Sequence, residues 1–208
     1  DAADCMRRAI EIAYRGKGSV HPNPLVGCVL VRDGEIIAEG WHGHLGGLHA
    51  EQAAIADAEE RGVSTSGCTA YVTLEPCNHH GRTPPCTEAL LWAGVEKVVI
   101  GALDPNPTVR GGGMKALEEQ GIYVESGLLE EECVLQMRPF MHWCMERRPL
   151  VLLKAAVDPD GRVDVDDSSP SERFTSDSSL KWAHKVRSEH MAILVGVETV
   201  VRDDPELT

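Results

Sequence analysis

Residues 69 to 86 read TAYVTLEPCNHHGRTPPC, and this stretch constrains the fold more than any other part of the chain. Thr69 to Leu74 is β-rich and alternating, with Gly67 before it and Pro76 after it, which predicts a strand. Cys77 stands just past the end of that strand. Cys86 follows two prolines and is placed to open the helix CTEALLWAG. A strand end and a helix start thus each deliver a thiol, with a tight Gly/Pro loop between them.

A second helix start supplies an imidazole. In HAEQAAIADAEE, residues 49 to 60, Ala50, Ala53, Ala54, Ile55 and Ala58 form a stripe of small apolar residues, while Glu51, Gln52, Asp57, Glu59 and Glu60 are polar. Gly62 ends the helix. An acidic first turn by itself satisfies the helix macrodipole and requires no metal. The two cysteines change the reading, because His49, Cys77 and Cys86 make a three-ligand set of the kind zinc accepts while keeping a fourth position for water. Chemistry there needs a base near the metal but not bound to it, since zinc lowers the pKa of water from about 15.7 to about 7. Glu51 is placed for that role, and the helix N-terminus favours Cys86 as thiolate.

His-x-Glu followed by Pro-Cys and a second Cys is similar to the zinc-dependent cytidine-deaminase-like superfamily. The generic motif has two residues between its cysteines, whereas this chain has the eight residues NHHGRTPP. The stretch PCNHHGRTPPC, together with HPNPLVGCV at 21 to 29 and DPNP at 104 to 107, closely resembles the deaminase domain of the bifunctional riboflavin-biosynthesis deaminase/reductases. The resemblance implies a three-layer α-β-α domain with a mixed sheet, a bound Zn2+ and Glu51 as the catalytic residue. It further implies that Asn23 binds the pyrimidine, that His42 and His79 line the substrate site, that Arg82 contacts the substrate phosphate, and that Asn106 contacts ribose or phosphate. Each has an ordinary local alternative: Asn23 and Asn106 as turn asparagines, the histidines as hydrogen-bonding surface groups, and Arg82 as a solvated loop charge.

The rest of the first 148 residues alternates in a way that suits this fold. CMRRAIEIAYR predicts a helix, LVGCVLV and EIIAEG a hairpin about Asp33-Gly34, KVVIGA and IYVE further strands, and MKALEEQG a helix entered through RGGG. The resulting order, α-β-β-α-β-α-β-α-β, predicts a mixed sheet covered on both faces. Pro139 is expected to kink or split the helix that closes this domain near Arg148.

Residues 149 to 208 are expected to be a separate, partial α/β segment: a strand over PLVLLKAA, a helix over SSLKWAHKVRSEH and a strand over MAILVG. The segment resembles the first unit of the same family's NADPH-dependent reductase domain, which implies ligand contacts by Lys154, Ser171, Arg187, Thr199 and Asp203. It departs from that pattern at Asp158-Pro159 and Arg173-Phe174. About 60 residues are also too few for a doubly wound dinucleotide domain, which needs about 100 or more, so NADPH is expected only where a complete reductase domain is present.

Thirty-three acidic against 20 basic residues give a net charge of −13, which argues against a nucleic-acid partner, since such binding depends on neutralising phosphates with Lys and Arg. No segment approaches 18 consecutive apolar residues and none resembles a signal peptide, so a cytoplasmic location without a membrane partner is expected. Cys5, Cys28, Cys68, Cys133 and Cys144 are expected to be reduced, apolar fillers. The chain is expected to form a homo-oligomer and to act on a small pyrimidine ribosyl phosphate. By resemblance, that compound is 2,5-diamino-6-ribosylamino-4(3H)-pyrimidinone 5′-phosphate, deaminated as a step of riboflavin biosynthesis. A deaminase for another base, or a non-catalytic zinc module, are the alternatives that share the metal motif.

Overall fold

A computed structural model describes residues 1–79, 84–107, 109–163 and 175–207. They divide into two compact units, Asp1–Leu150 and Val151–Thr208.

Five strands of the first unit make one mixed sheet in the order β2-β1-β3-β4-β5. They are β1 (Gly27–Arg32), β2 (Glu35–Trp41), β3 (Thr69–Leu74), β4 (Lys97–Ala102) and β5 (Tyr123–Ser126). β1 runs antiparallel to both β2 and β3, while β3, β4 and β5 are parallel to one another. The antiparallel step β1-β2 needs only a two-residue turn, and Asp33 and Gly34 supply it with φ of 53° and 82°, the positive pair that such a hairpin requires. The parallel steps need crossovers, which α3 (Cys86–Trp92) and α4 (Gly112–Glu119) provide. Because helices cover both faces, β1, β3 and β4 are buried almost throughout rather than on alternate residues.

On one face α1 (Ala2–Ala13) packs beside α5 (Glu130–Gln136), and on the other α2 (Ala50–Glu60), α3 and α4 follow one another. α1 is fastened to β2 by Arg8, whose guanidinium donates to both carboxylate oxygens of Glu39 at 2.6 and 2.8 Å. The α5 segment ends at Gln136 and α6 (Arg138–Glu146) begins with Pro139 in its first turn, where a missing N–H costs nothing. Pro139 therefore splits the closing helix.

α2 lies unusually close to the sheet. Ala50, Ala54 and Ala58 are fully buried, and the residue beneath them on β2 is Gly40. A Cβ on Gly40 would fall 2.1 Å from the Ala54 nitrogen and 2.4 Å from the Ala50 oxygen. At Gly40 helix backbone rests directly on strand backbone.

The second unit contains α7 (Asp177–Ser188), capped by the Ser176 hydroxyl accepting from the Ser179 N–H at 3.2 Å, and α8 (Val197–Asp203). The strands expected over PLVLLKAA and MAILVG do not form: among the described residues neither stretch pairs in a ladder. The physical reason is that a strand's hydrogen bonds lie outside itself, so an apolar run without a neighbouring strand stays unpaired. Leu153 and Leu194, in the middle of these runs, are 91% and 98% exposed. Among the described residues no helix is long and apolar enough to cross a membrane.

The contact at Gly40 yields a direct test. Gly40→Ala should destabilise the chain by about 1 to 3 kcal/mol, the usual cost of overpacking, and lower its metal affinity by lifting the start of α2. Gly43→Ala, whose new Cβ would make only an ordinary 3.6 Å contact with Trp41, should leave stability within about 0.5 kcal/mol of the parent. Urea denaturation of both variants beside the parent measures the difference.

Candidate active site

The carboxyl end of β3 and the first turns of α2 and α3 meet at one place. β3 runs out through Glu75 and Pro76 to Cys77; Cys86 is the first residue of α3, behind Pro85; and His49 is the residue that caps α2. Prolines on both sides of the cysteine loop stop strand and helix from extending into it.

His49 Nδ1 lies 3.6 Å from Cys77 Sγ and 3.3 Å from Cys86 Sγ, and the three atoms all fall within 4.8 Å of one another. A tetrahedral zinc with bonds of about 2.3 Å to sulfur and about 2.0 Å to nitrogen separates those two ligand types by about 3.5 Å, so the donor set fits the ion. The two ends of the loop are tied to each other. Cys86 donates its N–H to Cys77 Sγ at 3.4 Å, Thr87 donates its N–H to the Cys77 carbonyl at 3.3 Å, and the Thr87 hydroxyl donates to Asn78 Oδ1 at 2.9 Å.

Glu51 sits one residue inside α2 and is 3% exposed. Burial pushes its carboxyl up to about 7, and the neighbouring Cys77 adds to the shift. Cys77 itself is held far below the ordinary thiol range, chiefly by the Cys86 thiol and also by His49 and the Cys86 N–H; Cys86 is pushed up in turn by Cys77 and by burial. His49 is raised through its contact with Cys77. Two thiols and a carboxyl are thus crowded into one buried space, and a cation is what allows all of them to ionise.

Next to the metal ligands stands His42, 4% exposed, its ring 5.6 Å from the His49 ring and edge-on to it. Burial lowers its pKa, which favours the neutral ring. Its Nδ1 is 2.8 Å from the Leu48 carbonyl, which can only accept, so Nδ1 carries the proton and Nε2 the lone pair. Asn23 must then donate its amide to Nε2, at 3.1 Å. His42 and Asn23 are therefore brought together with the metal cluster. Asn106 is half-buried in the loop after β4, its N–H donating to Asp104 Oδ1 at 2.8 Å, and His79 is exposed but close enough to Asp104 to act on its charge. Arg82 and Ser171 lie outside the described residues.

The other residues expected to contact ligand that are described lie in the second unit. Lys154 lines a cavity of about 390 Å³ with Thr175, Ser178 and Ser179 at the start of α7, whereas Arg187 stands at the end of that helix and donates to the Glu206 carbonyl at 3.1 Å. Thr199 and Asp203 belong to α8.

Two residues that sequence reasoning passed over shape the site. Gln52 accepts from the His49 N–H at 3.2 Å and donates to the Pro84 carbonyl at 2.9 Å, joining the histidine start to the cysteine loop. Glu75 accepts four backbone N–H groups from the segment after β4. The only signal for Glu75 was an acid at the exit of an otherwise apolar strand.

Residues 1–102 match the family described as the cytidine and deoxycytidylate deaminase zinc-binding region, and residues 149–208 match the RibD C-terminal domain. The riboflavin biosynthesis protein RibD of Actinobacillus pleuropneumoniae is 48% identical over 204 residues, which cover 98% of this chain and 53% of that protein. The Escherichia coli protein of the same name is 44% identical over 203 residues, covering 98% and 54%. The crystal structure of a diaminohydroxyphosphoribosylaminopyrimidine deaminase/5-amino-6-(5-phosphoribosylamino)uracil reductase from Thermotoga maritima superposes with a TM-score of 0.93 at 44% identity, over 100% of this chain and 58% of that one. The chain therefore spans a little over half the length of the relatives it matches. A likeness of this degree that runs through both segments places this chain in the RibD family.

Proposed function

We propose that residues 1–148 form a zinc hydrolytic deaminase of riboflavin biosynthesis, and that 149–208 are the N-terminal part of a reductase-like domain. The deaminase replaces the 2-amino group of 2,5-diamino-6-ribosylamino-4(3H)-pyrimidinone 5′-phosphate by oxygen and releases ammonia. The observation that carries this reading is a buried carboxyl, raised to about 7, two residues from an imidazole that meets two thiols.

Zinc held by His49, Cys77 and Cys86 supplies a Lewis acid that makes water nucleophilic near neutral pH. The proton work falls to Glu51. Both protons of the attacking water pass through it, one to the ring nitrogen beside the amidine-like carbon and one to the departing amine, so that water and amine become carbonyl and ammonia. A buried carboxyl just outside the ligand set is placed both to take and to give a proton. The hydrogen bonding at Asn23 is compatible with the substrate class: with one of its two amide N–H groups committed to His42, the side chain keeps its acceptor oxygen and a second donor for a ligand, and a diaminopyrimidine edge presents N–H groups beside ring-nitrogen acceptors. His79, Arg82 and Asn106 are assigned to the ribosyl phosphate on the family resemblance. Ammonia release from the pyrimidine phosphate, with cytidine and guanine as controls, tests the reading; preference for either control would overturn it.

Glu51→Gln should keep about one zinc per chain and lose turnover by about 10²- to 10⁴-fold, the contribution typical of a positioned acid or base. Metal analysis and steady-state kinetics on the same preparation check both halves of that expectation.

Arg82→Ala should weaken the phosphorylated substrate by about 1.5 to 3 kcal/mol and leave a dephosphorylated analogue almost unaffected, since a guanidinium recognises phosphate through charged hydrogen bonds. Competition binding with both compounds reads the difference directly.

These 208 residues should not oxidise NADPH in the presence of the deaminated pyrimidinedione, because a nicotinamide site needs the crevice formed by several strands of an open sheet. A loss of absorbance from the reduced nicotinamide with this chain alone would overturn that assignment.

A further inference from the structure

Glu75 is the last residue before the Pro76-Cys77 turn, and it is 6% exposed. A carboxylate buried at a strand end is costly unless its lone pairs are filled. Four backbone N–H groups of one distant segment fill them. Oε2 accepts from Asp104 at 3.1 Å and from Gly111 at 2.9 Å, while Oε1 accepts from Gly113 at 2.9 Å and Met114 at 3.3 Å. The first pair brackets the loop that carries Asn106; the second is the first turn of α4. That turn is pressed onto the same place from the other side, since a Cβ on Gly113 would fall 2.0 Å from the Pro76 carbonyl oxygen. Within the loop, the carboxylate of Asp104 accepts the Asn106 N–H at 2.8 Å. The residue whose backbone Glu75 holds is therefore the one that holds Asn106.

We propose that Glu75 is a positioning residue: through Asp104 and Gly111 it fixes the Asn106 loop relative to the Cys77 turn, so that the ribosyl phosphate meets a loop already in place. The proposal rests on the reading of Asn106 as a ribose or phosphate contact. Glu75 is assigned no contact with metal or substrate, so its effect belongs in KM rather than in the chemical step. A loop ordered beforehand binds more tightly than one that must be ordered on binding. A glutamine cannot replace Glu75, because either orientation of its amide sets an NH2 group against a pair of N–H donors.

The test uses the zinc-loaded chain as the parent, E75Q, N106A and the double variant. Metal content, kcat and KM are measured on the pyrimidine phosphate, and amide hydrogen exchange is followed by peptide. E75Q should retain one zinc per chain. Its exchange over residues 104–114 should rise about tenfold or more, while peptides from β1 and α2 keep the parent's rates. KM should rise about tenfold with kcat within about threefold, and adding E75Q to N106A should raise KM by less than about twofold further, because both changes act on one loop. Unchanged exchange over 104–114 overturns the proposal, as do KM effects that multiply in the double variant. Loss of zinc and of kcat together in E75Q would assign Glu75 to the metal turn instead and also overturns it. If N106A alone leaves KM unchanged, the Asn106 reading fails, and the proposal falls through its premise rather than through the clamp. Amide exchange reads the clamp without substrate, so a failed deaminase assay and a failed clamp are told apart. Should E75Q not accumulate as folded protein, E75D, charged but one methylene too short to span both pairs of donors, goes through the same measurements with the same pattern expected.

Discussion

The backbone-to-backbone contact between α2 and β2 is the constraint on which the site depends. A metal ligand set tolerates errors of only a few tenths of an ångström, and His49 and Glu51 both hang from the first turn of α2. Had that helix been spaced from the sheet by leucines, its height would depend on several rotamers. With Gly40 beneath Ala50 and Ala54 there are no rotamers to settle, and the helix start is positioned by the sheet itself. The same logic governs the opposite wall, where Cys86 donates its own N–H to Cys77 and Thr87 closes the loop through the Cys77 carbonyl. Ligands on rigid elements, tied by short backbone contacts, make a preorganised site.

Charge explains why such a site requires its ion. Cys77, Cys86 and Glu51 are all potential anions, and all are largely shielded from water. Without a cation the group economises on charge: one thiol is depressed, the other is raised, and the carboxyl rises to about 7. A divalent ion would reverse the balance at the thiols, with Glu51 just outside the ligand set.

Much of this was legible in the chain because the signals are local. The strand that delivers Cys77 announces itself by alternation between Gly67 and Pro76, the helix that begins at Cys86 by two prolines, and the split at Pro139 by the missing N–H. Glu75 and Gln52 were not legible. Their partners are backbone groups, and backbone groups leave no trace in the sequence: the donors to Glu75 lie 29 to 39 residues away, and the carbonyl that Gln52 reaches lies 32 residues away. An acid or an amide in such a place looks like any polar residue at the end of an element. The folded chain alone reveals that its lone pairs are spoken for.

The second unit shows the same distinction between local and distant bonding from the other side. α7 lies where its sequence places it, within a residue or two, because a helix closes its hydrogen bonds four residues away and Ser176 caps it from the neighbouring position. Val151 to Ala156 and Met191 to Gly196 are just as apolar as the strands of the first unit, yet they make no ladder among the described residues. Apolar character selects which residues will be buried once a sheet exists, but it cannot supply the neighbouring backbone that turns a run of residues into a strand. In the first unit that neighbour arrives through the Asp33-Gly34 hairpin and two helical crossovers, all contained in the same stretch of chain. A run such as VLLKAA therefore has the apolar character of a strand without, among the described residues, the pairing that defines one.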